Sequence, residues 1–210
     1  MRIALIHALR HSPPPIEAAF AESWPEARLM NLLDDSLSAD LARDGALTPA
    51  MTERFLALGR YARGTGVQGV LFSCSAFGPC IAAVAADLGP IPVLKPNEAA
   101  IGEAVAMGRR IGLLASFPGT LASMPAEFPA GVTVVSCIAE GALAALDAGD
   151  GAAHDRLAAE AARALAGCDV ILLGQFSLAR AAPAVAAATG LPVVTTPGSA
   201  VRRLKAMLAG

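Results

Sequence analysis

Aromatic residues are scarce in this 210-residue chain: they make up 4% of it, as one Trp, one Tyr and seven Phe. The 55% hydrophobic share therefore has to build its core from Ala, Val, Leu and Ile. A basic excess is missing too, with 16 Lys and Arg against 18 Asp and Glu, a net charge of −2 and a pI of about 5.9. That balance excludes the clustered positive footprint of a nucleic-acid binder. Apolar runs stop at about 6–9 residues, well short of the roughly 20 that a membrane-spanning helix needs. The chain starts directly on a strand pattern, without the charged start, apolar stretch and small-residue cleavage site of an export signal. A cytoplasmic, reducing setting is the expectation, with free thiols. The four cysteines, Cys74, Cys80, Cys137 and Cys168, form no C-x-x-C pair and no zinc spacing.

Cofactor and metal signatures are also wanting. There is no Walker A run, no G-x-S-x-G elbow and no H-E-x-x-H. Gly64-Thr65-Gly66-Val67-Gln68-Gly69 fits G-x-G-x-x-G as a string, but it precedes a strand, whereas the dinucleotide fingerprint follows one and opens a helix. Asp34-Asp35 has no histidine or third carboxylate beside it and reads as the cap of a helix beginning near Leu37. No metal is expected.

What is present is a duplication. Ile91-Pro92-Val93-Leu94-Lys95-Pro96 returns as Leu191-Pro192-Val193-Val194-Thr195-Thr196-Pro197. Gly69-Val70-Leu71-Phe72-Ser73-Cys74 returns as Val170-Ile171-Leu172-Leu173-Gly174-Gln175, and Arg2-Ile3-Ala4-Leu5-Ile6-His7 as Arg110-Ile111-Gly112-Leu113-Leu114-Ala115. Three landmarks in one order define two related halves, about 1–105 and 106–210, with the last helix free to pack on the first half. Strands are predicted over 2–8, 27–33, 67–73, 91–95, 110–115, 132–138, 169–174 and 192–195. Helices are predicted over 15–24, from Thr48-Pro49 to about 63, and over 78–88, 97–108, 119–126, 140–147, 151–166, 178–189 and 198–208. Strands that are continuously apolar and alternate with helices give an α/β fold: two pseudo-symmetric parallel-sheet units, with a cleft between them as the expected site.

In such sheets ligands bind beyond the carboxyl ends of the strands. That rule selects His7 to His11, Ser73 to Gly78, Lys95 to Glu98, Ser116 to Thr120, and Gln175 to Ser177 with Thr195 to Pro197. Cys74 is the leading candidate, at a strand end, between serines and before a helix. A helix N-terminus there would lower its pKa toward the range of reactive thiols, about 3.5–7.5. The competing reading is a packed apolar cysteine. His7 is expected to face the cleft, Thr120 to cap the following helix, and Lys95 either to attract an acidic substrate or to serve the rim. His11 reads as a loop residue and His154 as a helix-surface residue. Cys80, Cys137 and Cys168 read as structural.

The two-half order, the Ser73-Cys74-Ser75 strand end and the run Leu172-Leu173-Gly174-Gln175 followed by Gly190-Leu191-Pro192-Val193 resemble the aspartate/glutamate racemase superfamily. That superfamily takes in hydantoin racemases, maleate isomerases and arylmalonate decarboxylases. The resemblance covers nearly the whole chain. It implies cofactor-independent chemistry at the carbon next to a carboxylate, with Cys74 catalytic. It further implies that Ser73, Ser75, Ser116, Phe117, Thr120, Gln175, Phe176 and Ser177 hold a small carboxylate substrate, and His7 joins them by its place at the end of the first strand.

The chain departs from the family where a second cysteine commonly stands. Gln175 offers hydrogen bonds but no exchangeable proton at a useful pKa. Phe117 lacks the hydroxyl of a tyrosine that decarboxylases of the family use, and Ala76 replaces one of their hydroxyl residues. Racemase or isomerase chemistry with one thiol, decarboxylation of a malonate-like acid, and a non-catalytic carboxylate-binding protein all stay open. Ala-rich helix faces suit self-association into a homo-oligomer.

Overall fold

The structure, a computed structural model, describes residues 1–209. The first half runs β1 (Arg2–His7), α1 (Pro13–Ser23), β2 (Arg28–Leu33), α2 (Ser36–Asp44), α3 (Pro49–Gly64), β3 (Gly69–Phe72), α4 (Gly78–Leu88), β4 (Val93–Leu94) and α5 (Glu98–Met107). The second runs β5 (Arg110–Ala115), α6 (Pro118–Ser123), β6 (Thr133–Ile138), α7 (Ala142–Asp147), α8 (Gly151–Ala162), β7 (Val170–Leu173), α9 (Ala182–Thr189), β8 (Val193–Thr195) and α10 (Thr196–Ala209). Each half forms one four-stranded sheet, in the order β2-β1-β3-β4 and β6-β5-β7-β8, and the pairs are parallel throughout. The duplication in the sequence is thus a duplication of topology. No described helix is long and apolar enough to cross a membrane.

The central strands β3 and β7 are buried along their whole length, which is why they read as unbroken apolar runs. The edge strands β2 and β6 carry mixed patterns because one side is open. Proline opens several helices, at Pro13, Pro49 and Pro118, where the missing N–H costs nothing. Thr48 caps α3 as its residue type predicts, accepting from the Met51 N–H at 3.2 Å.

The chain forms two compact units. One comprises Met1–Pro96 with the segment from Ala200 onward; the other comprises Asn97–Ser199. The helix that follows each half's last strand is therefore exchanged. In α5, Ala100, Ile101 and Ala104 are buried in a cluster with Ile111, Leu113, Val170, Leu172 and Val194. In α10, Leu204 and Leu208 approach Gly69, where an added Cβ would meet them at 3.1 and 3.2 Å. Periodicity finds such helices but says nothing about which sheet their apolar face will meet.

The first unit's core holds most of the few aromatics. Phe55 stacks on Phe72, with ring centroids 5.4 Å apart, and tilts against Phe77 at 4.9 Å. Phe55→Ala should cost about 3–5 kcal/mol in urea unfolding, the usual range for a buried Phe. Loss of less than about 1 kcal/mol would contradict this packing.

Other expectations are corrected here. His154 is not on a helix surface. It is fully buried in line with Ala158 and Ala162, spaced four apart on the inner face of α8. Its Nδ1 lies 2.9 Å from Asp155 Oδ1, and its Nε2 is buried without a partner. Asp35 stands at the N-cap of α2 but makes no side-chain cap bond. Asp34 instead accepts from Ser36 and from Arg54, which also reaches Asp40 Oδ2 at 2.6 Å. The helix predicted over 178–189 begins as a 3₁₀ segment, Phe176–Ala181, and becomes α-helical only at Ala182.

Candidate active site

In a sheet of order 2-1-3-4 the chain leaves β1 toward one side and crosses to the other for β3. The carboxyl ends of β1 and β3 therefore flank the topological switch point, where open α/β sheets bind ligands. In the first unit that point is occupied by His7 and by Ser73-Cys74-Ser75. In the second it is occupied by Ala115-Ser116 and Gly174-Gln175.

Cys74 is extended, with φ −127° and ψ 116°, and is followed by the 3₁₀ turn Ser75–Phe77 before α4 begins at Gly78. It is half-buried and packs against the aromatic core. Burial pushes its thiol up to about 11, opposed by a hydrogen bond from the Ala76 backbone N–H. The expected lowering of the thiol pKa is thereby corrected. A three-residue turn separates the sulfur from α4, and loss of hydration outweighs the N–H of that turn. At rest the residue is a protonated thiol.

From Ser73, the residue before Cys74, a polar line runs across β1 and β2 to α1. His7 Nδ1 is 2.9 Å from Ser73 Oγ, and His7 Nε2 is 2.9 Å from Asn31 Oδ1. Asn31 Nδ2 donates to Glu17 Oε1 at 2.6 Å. The register explains the reach: Ile6 pairs with Phe72, which sets His7 beside Ser73, and Leu5 pairs with Asn31, which makes Asn31 a diagonal neighbour of His7. His7 is 1% exposed, so the ring is buried rather than open as expected from sequence. Burial holds its pKa below the ordinary 6.5, against the upward pull of the Asn31 hydrogen bond and the Glu17 charge. The ring is neutral at pH 7.

In the second unit, Gln175 is committed to its own fold. Its Oε1 accepts from the Ser116 N–H at 2.6 Å, the Phe117 N–H at 3.1 Å and the Ser116 hydroxyl at 3.3 Å. Those two N–H groups open α6, where the sequence placed an anion cradle; here the amide carbonyl takes them. Thr120 lies inside α6, which begins at Pro118 and has Phe117 at its N-cap, so Thr120 does not cap the helix as expected. Its methyl group instead lies 3.1 Å from where a Cβ on Gly174 would stand. Ser116 and Phe176 are buried, Ser177 is half-buried and Phe117 is 48% exposed. Gln175→Ala should cost about 1–3 kcal/mol, the net worth of the three hydrogen bonds lost. Amide exchange at Ser116 and Phe117 should quicken; unchanged exchange would show that Gln175 does not hold them.

The other three cysteines are held in packing. Cys80 is buried in α4, with its sulfur 3.4 Å from Thr52 Oγ1. Cys137 donates to the Ala161 carbonyl at 3.3 Å, and Cys168 is buried before β7. Sequence reading missed Asn31 and Glu17. The available signal was a lone amide inside the apolar strand Arg28–Leu33.

Two units of one topology, with a thiol at one switch point and a glutamine at the other, define a pseudo-symmetric α/β protein. The model of the Asp/Glu/Hydantoin racemase family matches residues 5–204. The chain belongs to that family. No curated protein matches.

Among solved structures, the allantoin racemase of Klebsiella pneumoniae aligns over 100% of this chain and 88% of its own, at 22% identity and a TM-score of 0.75. The aspartate racemase of Picrophilus torridus aligns over 99% and 94%, at 11% identity and 0.73. A sulfate-associated variant of arylmalonate decarboxylase aligns over 100% and 94%, at 20% identity and 0.69. These likenesses are likenesses of fold.

Proposed function

We propose that the protein is a cofactor-independent enzyme of the racemase and isomerase type. Cys74 moves a proton at the carbon next to the carboxylate of a small acid, or adds to that acid. The observation that carries this reading is the position of Cys74 in a chain of the Asp/Glu/Hydantoin racemase family: it stands at a switch point and accepts the Ala76 N–H. The same N–H would stabilise the thiolate left after proton donation. Ser73 and Ser75 flank the sulfur, and Ser116, Phe117, Thr120, Gln175, Phe176 and Ser177 are the substrate-binding groups implied by the resemblance. His7 is buried and acts through Ser73. A cytoplasmic setting and self-association belong to the same proposal.

Decarboxylation is the second reading, and the protonated resting state of Cys74 favours it. The carbon–carbon bond of a substituted malonate would break, its electron pair would pass into the remaining carboxylate as an enediolate, and carbon dioxide would leave. Cys74 S–H would then protonate the carbon, and water would restore the thiol. One proton donor suffices for this step, and Gln175 supplies no second one.

Incubating the protein in D₂O with a panel of small α-substituted acids and substituted malonates tests both readings. Deuterium at the α-carbon, or isomerisation of an unsaturated acid in the panel, without carbon dioxide release supports the first, and deuterium with release supports the second. Tight binding of an acid with neither outcome would leave a carboxylate-binding protein.

A further inference from the structure

The structure assigns a role to two residues outside the site: Asn31 and Glu17 are positioning residues that, through His7, fix the direction of the Ser73 hydroxyl proton. The assignment rests on the reading that the Cys74 strand end is the working site.

The polarity of the line follows from what each group can do. The Glu17 carboxylate takes the Asn31 NH₂ at 2.6 Å, which turns the Asn31 carbonyl toward His7. A carbonyl only accepts, so His7 Nε2 must carry the hydrogen across their 2.9 Å contact. The neutral ring then has its lone pair on Nδ1, and at 2.9 Å the Ser73 hydroxyl donates to it. Ser73, one residue before the thiol, is left presenting oxygen lone pairs. Protonation of His7 reverses this. Nδ1–H would then donate to Ser73 Oγ and release the hydroxyl proton for an anionic group. Of the elements around the ring, β2 and β3 present the neutral Asn31 and Ser73, and α1 presents the charged Glu17.

The fold does not require this line, because the second unit builds the same topology without it. There the counterparts of His7, Asn31 and Ser73 are Ala115, Ser136 and Gly174. The space above Gly174 is filled by Leu113, Thr120 and Met124, with atoms 3.0–3.2 Å from an added Cβ. A solution without the line is therefore at hand, and its buried part, His7 with Ser73, is costly unless paired. Glu17 and Asn31 are exposed, so they can be changed without opening the core.

The test needs no substrate. Long-range ¹⁵N–¹H correlation spectra should show His7 as the Nε2–H tautomer. The ratio of Cys74 alkylation by iodoacetate to that by iodoacetamide, mapped by peptide mass spectrometry, cancels the sulfur's own reactivity. It should rise several-fold as pH falls through the His7 titration, below 6.5. Asn31→Asp, which sets a carboxylate against Nε2–H, should move that midpoint up by about one pH unit or more. Asn31→Ala should give mixed tautomers. An Nδ1–H tautomer in the native protein, or a midpoint unmoved in Asn31→Asp, would overturn the assignment. Loss of stability alone would not alter either readout. If the panel shows no turnover while the tautomer and midpoint behave as stated, the proposed chemistry fails and the relay stands.

Discussion

Iodoacetamide should modify Cys74 of the ligand-free protein at a rate that climbs about a hundredfold between pH 8 and pH 10, where an unshifted thiol would climb about tenfold and level off. The reason is the thiol pushed up to about 11. At pH 8 only about one sulfur in a thousand would be thiolate, against nearly one in ten for a thiol at 9.0. A more basic thiolate is also the better nucleophile, which gives back about six- to tenfold. The absolute rate at pH 8 should therefore fall about tenfold below an unshifted thiol, and the slope with pH is the sharper readout. A plateau reached before pH 9 would mean that the turn and α4 lower the pKa after all. The resting thiolate would then serve as base, and the reading in which Cys74 takes a proton from carbon would gain over decarboxylation.

Cys74→Ala should lower turnover about 10²–10⁴-fold on whichever acid the panel identifies, the contribution usual for a positioned general acid or base. Cys74→Ser should not rescue it, since an alcohol is a much weaker proton donor than a thiol. Fold and stability should change little, because Cys74 is only half-buried and sits at the border of the aromatic core. Loss of activity with an unchanged unfolding curve separates a chemical role from a packing one.

Much of this molecule was legible before any coordinates. The strand over 110–115 and the helix over 78–88 fall where the pattern puts them, because an apolar run as short as Arg110–Ala115, between Gly108 and Pro118, favours a buried strand. The repeat made the two sheets legible, and the switch-point rule then picked out Cys74 and Gln175. Long-range and solvation effects stayed hidden. The place of α5 depends on which sheet a stripe of Ala and Ile meets. The line from Glu17 to Ser73 joins α1, β2, β1 and β3, and no local spacing encodes it. His154 was misplaced because its residue type outweighed its spacing with Ala158 and Ala162. The shift at Cys74 was misjudged in sign because sequence shows the approaching helix and not the burial.

The most direct measurement is the deuterium content of the α-carbon after incubation in D₂O, followed by mass spectrometry for the native protein and Cys74→Ala side by side. The account predicts label that accumulates with the native protein and falls to background with the variant. Equal labelling by both proteins would contradict it.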